Sequence, residues 1–135
     1  MTQNSKRMSI QHQNKRGDFV YRLSFTDQNG NTVDPPRRLS IKLTTAEGVG
    51  SFVAEYKDGG DCTRCKRVSG GIDVFVSLSR QYIGAGRMIL ETVSFLQDER
   101  FDGGEKRVAS KSSTSVVLWD GASDNDSIVT GTIIL

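Results

Sequence analysis

The sequence predicts an all-β protein, an antiparallel immunoglobulin-like β-sandwich of about seven strands, and three observations carry that expectation. Residues 19–26 alternate strictly, with Phe19, Tyr21, Leu23 and Phe25 on one side and Val20, Arg22, Ser24 and Thr26 on the other. This is the period of two of a half-buried strand. Similar segments recur roughly every dozen residues with turn signals between them, the spacing of a sandwich. No apolar period of 3.6 residues persists long enough to predict a helix of more than two turns.

The elements follow in order. Behind residues 19–26, Asp27-Gln28-Asn29-Gly30-Asn31 supplies the positive φ of a hairpin turn. Asp34-Pro35-Pro36 then interrupts pairing, because proline has no N–H to donate. Leu39, Ile41 and Leu43 alternate with Ser40, Lys42 and Thr44 as a second strand, and Phe52, Ala54 and Tyr56 alternate as a third. Ile72, Val74, Val76 and Leu78 mark a fourth. Residues 87–97 read as a long strand whose apolar phase changes from Met88 and Leu90 to Val93 and Phe95. The change predicts a bulge or bend near Thr92, where the strand would pass between sheets. Residues 105–119 begin polar and end in Val116-Val117-Leu118-Trp119, and residues 128–135 form a last strand.

Residues 1–16 read differently. They carry Lys6, Arg7, Lys15 and Arg16 with no acid, and Met8 and Ile10 are their main apolar anchors. Such a segment has little capacity to fold alone. The expected organisation is therefore a basic polar arm over residues 1–16 and a sandwich domain over residues 17–135. The arm's charge is +4, and the remaining 14 basic and 16 acidic residues leave the domain at −2. A net charge of +2 gives no argument for direct nucleic-acid binding. No run approaches the ~20 apolar residues of a membrane helix, and no secretory leader is legible. Synthesis in a cytoplasm, without a membrane partner, is the expectation.

Chemistry has few candidates. Cys62-Thr63-Arg64-Cys65 lacks the further ligands that zinc needs, since His12 is the only histidine. Its Gly/Asp-rich setting is also unlike the helix start of a redox pair. Cys62 and Cys65 are read as loop thiols that could close a small disulfide. Asp27 opens like a calcium loop, but Thr32 and Arg38 occupy the positions that would need Gly and Glu. Asp120, Asp124 and Asp126 cluster in a loop and read as solvated carboxylates. With no nucleophile elbow and carboxylates mostly in turns, the chain is expected to be neither an enzyme nor a cofactor binder.

Several short motifs carry a resemblance. They are Gly17-Asp18-Phe19, residues 25–30, Phe52-Val53-Ala54-Glu55-Tyr56, Gly84-Ala85-Gly86, Phe101-Asp102-Gly103-Gly104 and residues 117–124. In this order the chain resembles small virion structural proteins of phages and prophages of Bacteroidetes-type bacteria. It is also similar to the immunoglobulin-like N-terminal domain of phage baseplate upper proteins. The resemblance implies a docking module that decorates a capsid or anchors head or tail fibres, assembled in the host bacterial cytoplasm. Its partners would be capsid, fibre or baseplate subunits and copies of itself. The arm residues Lys6, Arg7, Met8, Ile10, Lys15 and Arg16 are the expected partner-binding set, with strand addition to a neighbour's sheet as the mode. The alternative is a carbohydrate-binding or host-adhesion module using Trp119, Tyr56 and Tyr82 as a stacking platform.

Overall fold

A computed structural model describes residues 10–121 and 128–135. Lys6, Arg7 and Met8 of the expected binding set, and Asp124 and Asp126, lie outside the described residues. The strands are β1 (Gln11–Asn14), β2 (Asp18–Thr26), β3 (Arg38–Thr45), β4 (Phe52–Lys57), β5 (Cys65–Val68), β6 (Gly71–Ser77), β7 (Gly86–Gln97), β8 (Glu105–Trp119) and β9 (Val129–Ile134). They form two packed sheets, one ordered β1-β8-β7-β3-β4 and the other β5-β6-β2-β9. The sandwich expectation holds, with nine strands among the described residues rather than about seven.

Alternation builds the core as expected. Phe19, Tyr21, Leu23 and Phe25 of β2 are buried beside Ile72, Val74 and Val76 of the neighbouring β6, and they face Leu39, Ile41 and Leu43 of β3 and the apolar positions of β4 in the opposite sheet. The hairpin turn also forms. Asp27 Oδ1 accepts from the N–H groups of Asn29 and Asn31, and Gly30 takes φ +85°. Thr26 and Thr32 then bridge before the prolines lead the chain into the opposite sheet. Gly71 is required where β6 meets β2, because a Cβ there would collide with the Leu23 carbonyl oxygen.

Four expectations change. First, the sandwich is not wholly antiparallel: β1 runs parallel to β8, and β2 runs parallel to β9. Second, the boundary at residue 16 moves. Gln11–Asn14 is a strand of the domain's own sheet, where Gln13 is buried. A turn closed by Gly17 N–H to the Asn14 carbonyl (3.0 Å) then passes the chain to β2 in the other sheet.

Third, β7 neither changes phase nor changes sheet at Thr92. Met88, Leu90, Thr92 and Ser94 form one continuous buried face, two of its members small hydroxyl residues. Outward-facing Phe95 is covered by the Arg38 guanidinium, 3.9 Å from the ring centroid. The irregularity lies earlier, between Arg87 and Ile89, opposite extra residues of β8. There Thr114 Oγ1 donates to the Met88 carbonyl (2.7 Å) and accepts from Val116 N–H (3.1 Å), so its hydroxyl fills the break in the ladder.

Fourth, the thiols Cys62 and Cys65, both free, do not share a loop: Cys62 is exposed and Cys65 is buried at the start of β5. They belong to a segment that covers the edge of β4. Thr63 and Glu55 exchange backbone hydrogen bonds (3.0 and 2.8 Å), Arg64 Nη1 donates to the Val53 carbonyl, and Cys65 Sγ donates to the Glu55 carbonyl. Arg64 adopts φ +59°, which only this non-glycine among the described residues does. The kink carries the chain from the edge of one sheet into β5 of the other. The Cys-x-x-Cys run thus acts as backbone architecture, with Cys65 buried at its end.

Candidate docking surface

Free strand edges are the places where a sandwich can pair with another chain. That of β4 is covered as described, and that of β5 is short and carries Lys66 and Arg67. The long exception is β8. Beyond its pairing to β7, it is met on the other side only by β1, at residues 116–119. Among the described residues, no strand pairs with that side of residues 105–115.

This segment also overhangs the opposite sheet. Ser110 and Ser112 lie beside the buried Thr92 and Leu90 of β7, yet both are exposed. The polar sequence of residues 105–113 is that of a strand with water on both faces, whereas Thr114 and Ser115 are buried. Its charge is mainly positive. Lys106, Arg107 and Lys111 are exposed, whereas Glu105 is engaged by Arg38 at 2.9 Å.

Where the overhang meets the second sheet, a groove of about 430 Å³ opens between β8 and β9. Its walls are residues 112–115 on one side and residues 130–132 on the other, and Tyr21 and Leu90 contribute to its lining. None of its lining residues is charged. Gln11 closes one end. Its Nε2 donates to Ser115 Oγ (2.6 Å) and to the Thr130 carbonyl (3.1 Å), and its Oε1 accepts from Thr130 N–H (2.9 Å). The carboxamide therefore meets the edge of β9 as a neighbouring peptide group would.

Tyr21 is the other notable group. It is 1% exposed, and its ring and hydroxyl occupy the space beside Gly131 that a side chain there would need. Among the described residues, nothing hydrogen-bonds its hydroxyl. Burial pushes the phenol well above its ordinary pKa, so it stays protonated and able to donate.

The expected arm residues are divided by the structure. Ile10 is half exposed, immediately before Gln11. Lys15 pairs with Asp120 (3.3 Å) and lies over Tyr82, and Asp120, followed by the Tyr82 hydroxyl, holds its ammonium above the usual lysine value. The Arg16 guanidinium lies 4.2 Å from the Tyr82 ring centroid. Lys15 and Arg16 thus pack on their own domain. On the outer face nearby, Trp119 is exposed and its ring centroid is 5.2 Å from that of His12. Tyr56 is buried and cannot belong to a surface platform.

The alternation that located Tyr21 in the core gave no sign that its hydroxyl has no partner among the described residues. Nor could local pattern reveal the groove, whose walls and end come from residues 11, 112–115 and 130–132. No family model, curated protein or solved structure matches the chain.

Proposed function

We propose that this chain is a non-enzymatic docking module of a virion, an adaptor or decoration protein that joins neighbouring subunits through its sheet edges and N-terminal segment. One observation carries the docking part of this reading: among the described residues, no strand pairs with the outer side of β8 along residues 105–115. Backbone donors and acceptors on a free edge are satisfied by water in isolation and by another strand on association. The motif resemblance supports the virion setting, where many copies convert weak contacts into avidity.

The test is to purify the assembly containing the chain and cross-link it through lysines. The expected result is incorporation, with cross-links from Lys106 and Lys111 to a neighbouring subunit. A chain that never enters a larger assembly would overturn the reading.

A second reading rests on the exposed Trp119 beside His12, which offers a stacking surface to a sugar ring. The loss of Tyr56 to the core leaves that platform small. Glycan binding by the isolated chain, abolished by Trp119→Ala, would favour it over docking.

A further inference from the structure

The docking surface has a recognisable chemistry. We infer that the groove between β8 and β9 accepts an extended peptide segment from a partner chain, apolar or hydroxyl-bearing over the groove and acidic beyond it. This rests on the docking reading and specifies its site.

Three observations converge. Gln11 already shows that an amide fits between the walls, because its carboxamide satisfies both the N–H and C=O of Thr130. The period of two places the N–H and C=O of Thr132 on the same side of β9. A peptide backbone continuing the line of the Gln11 amide would meet these groups next. Adjacent strands lie about 4.8 Å apart and packed sheets about 10 Å apart, so one inserted strand can reach both edges of a sandwich.

The second observation is Tyr21. Buried polar groups are almost always hydrogen-bonded. Here a phenol that lines a roomy groove yet is only 1% exposed has no protein partner among the described residues, and Gly131, against which its hydroxyl packs, adds no side chain over it. A peptide carbonyl entering the groove would accept from it. The third is charge. The groove is neutral, but the edge running away from it presents Lys111, Arg107 and Lys106, while Glu105 is occupied by Arg38. Like charges on directly paired strands oppose association, whereas acidic residues there assist it. The chain's own N-terminal segment carries Lys6 and Arg7 and so lacks this complementarity.

The test uses the full chain and a capped fluorescent peptide of about ten residues, a common strand length. The peptide alternates Val and Thr and ends in three Glu; comparison peptides carry Lys for Glu or a backbone N-methylated at alternate positions. Anisotropy is expected to show salt-sensitive binding of the acidic peptide, weaker by about tenfold for the Lys peptide and lost on N-methylation. Hydrogen exchange should slow at residues 112–115 and at Thr132. Tyr21→Phe should weaken binding by about tenfold while leaving the Tm of the free chain unchanged or higher, an outcome that a purely structural hydroxyl would not give.

Equal binding of the Lys peptide, unaltered exchange in the groove, or full binding by Tyr21→Phe would overturn the inference. So would edge amides already protected in the free chain and released by deleting residues 1–9, or a dimer that protects the same amides. If the peptide fails while the chain still enters its assembly, the groove assignment falls and the docking reading stands.

Discussion

Gln11 and Thr130 stand 119 residues apart and are joined by two hydrogen bonds, one in each direction between a side-chain amide and a backbone peptide group. With the bond from Gln11 to Ser115 Oγ, they tie β1 and β8 of one sheet to the edge of β9 in the other. Replacing Gln11 by Ala should cost about 1–2 kcal/mol, the scale of partly exposed neutral hydrogen bonds. Chemical denaturation measures this, and the Thr130 amide should exchange faster in the variant. Gln11→Glu should not rescue, because a carboxylate cannot donate to the Thr130 carbonyl.

The cysteines give a second prediction. Cys62 is exposed, whereas burial, followed by the nearby Cys62 and Glu55, pushes the Cys65 thiol up to about 12. The thiolate is the reactive form. Titration of the native chain with a disulfide reagent should therefore modify one thiol quickly, with the second reacting only on unfolding. Cys62→Ser should remove the fast phase, whereas two unreactive cysteines that respond only after reduction would show a disulfide instead.

A third prediction concerns acid stability. Arg22 Nε and Nη2 contact both carboxylate oxygens of Asp73 at 2.7 and 2.9 Å across the β2–β6 pair. Hydrogen bonding to Arg22 lowers the Asp73 pKa against the opposing effect of burial. A carboxyl group whose folded pKa lies below its unfolded value stabilises the fold fully above the unfolded value, about pH 4. That contribution is lost as the pH falls through the lowered folded value. Asp73→Asn should destabilise the chain at neutral pH and flatten its acid limb; Tm measured between pH 7 and pH 2 tests both effects.

Gly71 sets a fourth. An alanine Cβ would land on the Leu23 carbonyl oxygen inside the β2–β6 ladder, where both strands are held by pairing. Gly71→Ala should cost about 2 kcal/mol or more, the scale of overpacking that moves backbone. Gly30→Ala is a useful comparison. Its space is open, so any loss there reflects the positive φ alone.

These residues also show what local sequence could reveal. Alternation placed β2, β3 and β4 because each buries one face, and the period of two records that burial directly; β6 kept its apolar alternation although Gly71 and Asp73 on its other face are buried too. The strand β1, Gln-His-Gln-Asn, has no such record, because it is held by pairing with β8 and by the Gln11 amide. The short strand β5 was hidden by its exposed Lys66 and Arg67. On β7, Thr92 and Ser94 concealed the inward face because hydroxyl residues line it beside the polar stretch of β8. The groove was illegible for a related reason: its amide, hydroxyls and open edges become a site only when distant strands meet.

The side of β8 that no described strand covers is proposed to be a contact surface in a larger assembly. Hydrogen exchange at residues 105–115, measured on the isolated chain and on the purified assembly, tests it most directly. The outward amides are expected to exchange rapidly in isolation and to slow by about tenfold or more after assembly, as edge hydrogen bonds become occupied. Equal exchange at these amides in both states would contradict it.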